Sequence, residues 1–174
     1  QSETVWHQAD KYRVPRLVFV NKMDRIGADF KKAVAEIVNK LGANVVVVQL
    51  PIGAEGEFSG VIDLVKMKAL IWNTENQGTT WDEKDIKPEL LDEAKKYRNS
   101  MLEKLSEFDN ELCEKYLDGK EISEELIKKA IRIGTIKSEI MPVFCGSAFK
   151  NIAVQPILDG VVDYLPSPLE SKPI

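Results

Sequence analysis

The chain has 174 residues, 44% of them hydrophobic, and its 28 acidic and 24 basic side chains leave a net charge of −4. That length suffices for one good core, or for a core with an inserted subdomain. No apolar run approaches the roughly eighteen residues of a membrane span, no signal-peptide succession is present, and an acidic balance excludes a nucleic-acid clamp, which requires a basic face.

The first element is a helix over Ser2 to Arg13, with Val5, Ala9 and Tyr12 on one face and Pro15 as its stop. Leu17-Val18-Phe19-Val20 then reads as a strand buried on both faces of a parallel sheet. A helix from Ala28 to Leu41 follows, with Phe30, Val34, Ile37, Val38 and Leu41 at helical spacing and Gly42 as terminator. Helix, strand, helix implies a parallel sheet with crossovers.

Two runs compete for the next strand, Val45 to Leu50 and Met141 to Cys145. An insertion reconciles them. The chain is expected to leave its first core near residue 45, build an α+β subdomain and return near 139, so that both runs do not enter one sheet in succession. The expected division is 1–47 as host, 48–137 as insert, 138–165 as the last host strand and helix, and 166–174 as a linker. The insert carries 19 acidic and 14 basic residues, against 9 and 10 elsewhere.

Within the insert, alternation from Val61 to Trp72 predicts one half-buried antiparallel strand, followed by a polar turn from Asn73 to Asp85. A long helix from Pro88 has apolar positions Leu91, Ala94, Met101, Leu105, Phe108, Leu112 and Tyr116, with a bend near Asp109. Ser123-Glu124-Glu125 caps a further helix to Ile136, and the last helix runs from Ala153 to Leu165. Cys113 and Cys145 match neither a zinc nor a redox spacing and read as small buried hydrophobes. His7, the single histidine, reads as a surface group, and Trp6, Trp72 and Trp81 as core or partly buried residues.

The chemistry lies where the strands end. Asn21-Lys22-Met23-Asp24 follows the first strand directly. In open α/β sheets, ligands gather at the carboxyl ends of strands. A carboxylate at Asp24 can accept from two adjacent donors, which guanine offers as N1–H and its 2-amino group and adenine does not. Desolvating such a carboxylate makes the wrong base costly, because the charge is left unpaired. Asn21 can bridge base and loop, and the Lys22 stem can lie over the ring. Gly146-Ser147-Ala148 follows the second strand, where small residues allow close approach and the Ala148 N–H could reach guanine O6.

The stretches SETVWHQADKYRVPRLVFVNKMDRIGADF, LPIGAEGEFSGVIDLVKMKALIW and PVFCGSAFKNIAVQPILDGVVDYLPSP resemble the elongation factor G family of ribosomal translocases. The resemblance covers nearly the whole chain. It implies a partial phosphate-loop GTPase sheet of α/β class, with an α+β subdomain inserted before its last strand. It also implies that Asn21, Lys22, Asp24, Gly146, Ser147 and Ala148 bind guanine, and that Pro166-Ser167-Pro168 leads toward a next domain. GTP or GDP would be the ligand, with magnesium in the parent protein. The expected partner is the ribosome, with its basic stalk protein meeting the acidic helix face of Asp92, Glu93, Lys96, Asn99, Glu103, Glu107 and Glu114. The parent would be a cytoplasmic, monomeric GTPase that drives translocation. A ribosome-protection or release factor is the alternative, as is a non-catalytic protein-binding module for the chain alone.

Two departures qualify the resemblance. Ile152-Ala153 stands where the family pattern has Lys-Gly. The sequence also contains no Gly-x-x-x-x-Gly-Lys-Ser/Thr, since Gly119-Lys120 lacks the earlier glycine and continues into Glu121. With Gln1 in place of Met and a proline-punctuated close, the chain is expected to be part of a longer protein, its switches upstream, and inactive alone. Asp24-Arg25-Ile26-Gly27 spells a switch motif, Asp-x-x-Gly, by coincidence.

Overall fold

The computed structural model describes residues 2–170. Two sheets organise it. Helix α1 (Ser2–Lys11) leads to strand β1 (Val18–Val20), and helix α2 (Phe30–Leu41) to strand β2 (Val45–Val47). Asp29 caps α2 by accepting from the Lys32 N–H at 3.1 Å, and Gly42 closes it at φ +62, donating to the Val38 carbonyl. Strand β7 (Met141–Cys145) lies between β1 and β2, parallel to both, with every residue buried.

The first of the two competing runs divides: Val45–Val47 joins β7 in one sheet, and Gln49–Ile52 passes into the other. β7 enters between β1 and β2 although it comes last in the chain. Strand β1 is only half-buried, because it takes the sheet edge among the described residues. The predicted apolar face of α1 is likewise exposed, Val5 at 66% and Tyr12 at 59%. Trp6 packs on the core instead, with the Arg16 guanidinium over its ring.

The chain leaves the first sheet at Val48. Gln49 opens strand β3 (Gln49–Ile52), which pairs antiparallel with β4 (Gly60–Asp63), then β5 (Lys68–Trp72) and β6 (Trp81–Lys84). The divergence of β2 from β7 would strand the Cys145 N–H. Gln49 Oε1 accepts it at 3.1 Å, so a buried side chain takes over from the departing backbone.

The single strand expected over Val61 to Trp72 is a hairpin. Asp63 Oδ1 accepts the N–H groups of Val65 and Lys66 at 2.9 and 3.1 Å, and Met67, at φ +55, returns its N–H to the Asp63 carbonyl. This side-chain-driven turn reverses the chain within an apolar run. The polar stretch after Asn73 contains the exposed strand β6, and Trp81 stacks on Trp72 at 5.3 Å.

Helix α3 (Pro88–Leu105) and helix α4 (Asn110–Leu117) replace the bent helix, since Asp109 caps a new helix through the Leu112 N–H. Helix α5 (Glu124–Ile136), capped by Ser123, and helix α6 (Val154–Tyr164) complete the chain. The insert helices also serve the first sheet. Lys104 of α3 donates to the Val45 carbonyl at 2.6 Å, and α5 packs against β7 and α6. Arg132 of α5 holds the Asp163 and Leu165 carbonyls and pairs with Glu170 at 2.7 Å, folding the start of the expected linker back on the body. Residues 171–174 of that linker lie outside the described residues. Cys145 is fully buried, which pushes its thiol pKa up, and Cys113 is half-buried. His7 is exposed.

Two measurements follow from this architecture. Gln49→Leu leaves the Cys145 N–H without an acceptor, and urea unfolding should show a loss of about 1–3 kcal/mol. Burial pushes the Asp63 carboxyl above the usual aspartate range, opposed by the N–H groups it accepts. The folded state thus holds that proton more tightly than the unfolded chain, and native stability falls as pH rises through this window. Asp63→Asn keeps the turn acceptor without the charge. Its stability should gain on the wild type as pH rises from about 4 to about 6, a trend that parallel urea titrations would reveal.

Candidate functional site

The parallel pairing of β1 and β7 brings two loops side by side at their carboxyl ends. Val20 is in register with Cys145, so Asn21 and Gly146 leave the sheet together. The Gly146 N–H donates to the Val20 carbonyl at 3.0 Å, and the Gly146 carbonyl accepts from the Met23 N–H at 3.1 Å. A side chain at Gly146 would press on the Ile152 carbonyl oxygen and the Phe19 ring. Gly146 therefore stitches one loop to the other; its N–H is spent there and is not turned toward a ligand.

Ser147 is also fully engaged and buried. Its hydroxyl donates to Asp24 Oδ1 at 2.6 Å and accepts from the Lys150 N–H at 3.2 Å, while its backbone exchanges hydrogen bonds with Ile152. Asp24 is half-buried, and its second oxygen takes no hydrogen bond among the described residues. Asn21 Oδ1 accepts from the Lys22 N–H at 2.8 Å and from the Ala148 N–H at 2.9 Å. The donor expected to reach guanine O6 is thus bound to Asn21 in this state. A three-centre bond can share that N–H with an incoming carbonyl oxygen. Lys22 stands at φ +63, exposed, with its side chain free of the loop.

What remains for a ligand is the Asn21 amide nitrogen, the Lys22 stem and one Asp24 oxygen. These groups present a carboxylate acceptor, a neutral donor and a flat apolar cover, which suits a heteroaromatic base edge with adjacent N–H donors. A cleft of ≈ 740 Å³ opens on the side of Asp24 that faces Glu55, Thr74, Gln77 and Phe149, and Asn21, Lys22 and Ala148 do not line it.

The acidic helix face lies elsewhere. Asp92, Glu93 and Glu103 on α3 and Glu107 beyond its end are all exposed, and none shares a hydrogen bond with the two loops. Glu93 is not wholly available to a partner, because it pairs with Lys31 of α2 at 2.9 Å.

Sequence reasoning missed three supports of the site. Gln49 finishes β7, Glu55 bonds the first loop, and Asn151 Nδ2 donates to the Gln77 carbonyl at 3.0 Å, joining the second loop to the insert. Gly53 and Gly56 on either side of Glu55 were the available signal, marking a turn tight enough to approach another backbone. Ala153, where the family pattern has glycine, adopts φ +62. That conformation costs a residue with a side chain about 1–2 kcal/mol.

A parallel sheet with two polar loops side by side at its strand ends fits a nucleotide-binding α/β domain of GTPase type. The sequence model of the elongation factor Tu GTP-binding domain matches residues 1–167, and the chain belongs to that family. Within it, the chain is 56% identical over all 174 residues to elongation factor G of Thermotoga maritima, and 55% identical to that of Thermotoga neapolitana. It spans 25% of the length of these relatives. A crystal structure of a protein from Thermus thermophilus superposes on 97% of this chain and 24% of its own, with a TM-score of 0.81 at 31% identity.

Proposed function

We propose that this chain forms the guanine-reading part of a translational GTPase that drives ribosomal translocation, together with an insert that meets the ribosomal stalk. The hydrogen bond from Ser147 to Asp24 carries the reading. It fixes one oxygen of the carboxylate while leaving acceptor capacity for guanine N1–H and the 2-amino group. Asn21 then donates to the base, Lys22 covers it, and Ala148 shares its N–H with O6. Identity over the full chain, insert included, favours elongation factor G over a sister ribosomal GTPase or a purely protein-binding role.

The phosphates and magnesium belong to other parts of the parent in this proposal. Among the described residues no group of three or more His, Cys, Asp or Glu is placed to hold a metal. For want of a Gly-x-x-x-x-Gly-Lys-Ser/Thr loop in its sequence, the chain alone is proposed to be inactive, its role being selection of the base. The division into host 1–47 and 138–165 and insert 48–137 is retained, with α5 of the insert serving both. The described helices include none long and apolar enough to cross a membrane. A cytoplasmic, monomeric parent is part of the same proposal.

Asp24→Asn in the full-length protein should lower GDP affinity about a hundredfold or more and admit the xanthine nucleotide, whose 2-keto oxygen matches the new amide donor. Retained GDP affinity in a binding titration would overturn the assignment of Asp24. Charge reversal at Glu103 and Glu107 should slow stalk-dependent GTP turnover, as steering by opposite charge is lost, without changing nucleotide affinity. Unchanged turnover would remove the acidic face from the proposal.

A further inference from the structure

The insert grips the base-reading loop directly. Its segment from Gly53 to Phe58 lies against the loop that follows β1. The Glu55 N–H donates to the Met23 carbonyl at 2.9 Å, and Glu55 Oε1 accepts from the Gly27 N–H at 3.0 Å. Met23 and Gly27 bracket Asp24 in the chain, so one residue of the insert holds both ends of the turn that carries the carboxylate. Around the turn, the Arg25 N–H donates to the Lys22 carbonyl and the Ala28 N–H to the Arg25 carbonyl, both at 3.1 Å, so its backbone is closed on itself. Met23 is 2% exposed and anchors its base in the core.

Glu55 does this at φ +56, a left-handed conformation disfavoured for a residue with a side chain. Such strain persists only where the surroundings enforce it, and it clusters at functional sites. Gly53, at φ +76, allows the tight turn that presents Glu55, because a side chain there would collide with the Glu57 carbonyl oxygen. On the other side of Asp24 stands Ser147. The carboxylate is thus oriented by a hydroxyl from the second loop and a turn fastened by the insert.

We propose that Glu55 is a positioning residue for guanine recognition, aiming Asp24 at the base through the turn from Met23 to Gly27. The proposal rests on the assignment of Asp24 to the base. Removing the Glu55 carboxylate frees the Gly27 end of the turn and blurs the aim of Asp24 without touching the ligand.

The test uses the full-length protein and compares GDP with IDP, whose base lacks the 2-amino group and so offers Asp24 a single donor. Glu55→Ala should weaken GDP more than IDP and reduce the preference for GDP about tenfold, the loss expected for one charge-assisted hydrogen bond. Glu55→Gln retains the Oε1 acceptor and should restore the preference. General loosening of the fold would weaken both nucleotides equally, so an unchanged GDP/IDP ratio in Glu55→Ala overturns the proposal. Glu55→Asp, which keeps the charge but shortens its reach, is read by the same ratio where the alanine variant does not fold. Asp24→Asn measured in parallel separates the two claims. A switch to xanthine with an unchanged ratio in Glu55→Ala removes Glu55 alone, whereas no switch removes the base assignment and the role of Glu55 with it.

Discussion

Strand β7 is the constraint on which the rest of the molecule depends. It is covered on both faces and flanked along both edges by β1 and β2, all running in the same direction. A parallel strand so enclosed must have every backbone group paired, and most of the architecture answers that demand. β1 supplies one edge and β2 the other. Where β2 departs, Gln49 replaces the missing acceptor. The same register sets the Asn21 and Gly146 loops beside each other, so the candidate site is a direct result of how β7 is satisfied.

The site itself is a layered arrangement in which few groups remain available. Gly146 and Ser147 are buried, the first spending its backbone groups on Val20 and Met23 and the second on Ile152, which leaves them as supports. Asn21, Lys22 and Asp24 keep polar groups that no neighbour among the described residues takes up. Behind them stand Glu55 and Asn151, each tying one loop to the insert. Precision comes from this outer layer, because a loop with only its own hydrogen bonds would sample many orientations of the carboxylate, whereas a loop fastened on both sides samples few. The segment between β2 and β7 is therefore structural to the site.

Much of this was legible in the sequence where local and global preferences agree. Gly42 and Ser123 marked helix ends that the structure keeps, and the apolar run at β7 announced a buried strand. The Asn21 to Asp24 and Gly146 to Ala148 segments were found by their position after such runs. Legibility failed where a side chain redirects the backbone. Asp63 reverses the chain inside an apolar stretch that alternates like one strand, and Asp109 starts a helix where the periodicity continues with a bend. β6 was invisible because its Trp81-Asp82-Glu83-Lys84 sequence is exposed throughout and is held only by pairing with β5. Glu55 and Gln49 act through contacts distant in sequence, which no local pattern encodes. The Ala153 departure, by contrast, had a structural correlate: a left-handed position that glycine occupies at less cost.

The threading of β7 between β1 and β2 also dictates an order of events during synthesis. The two outer strands emerge early and cannot pair with each other, since the place between them belongs to a strand made only after the whole insert. The antiparallel hairpins of the insert need only near neighbours and can form while the chain is still being made, whereas the parallel sheet must wait for its middle. Until then the edges that β1 and β2 offer to β7 stay unpaired, and β2 rests against α3, where Lys104 donates to the Val45 carbonyl. The inserted unit, by folding first, would serve as the surface on which the nucleotide-binding sheet is completed.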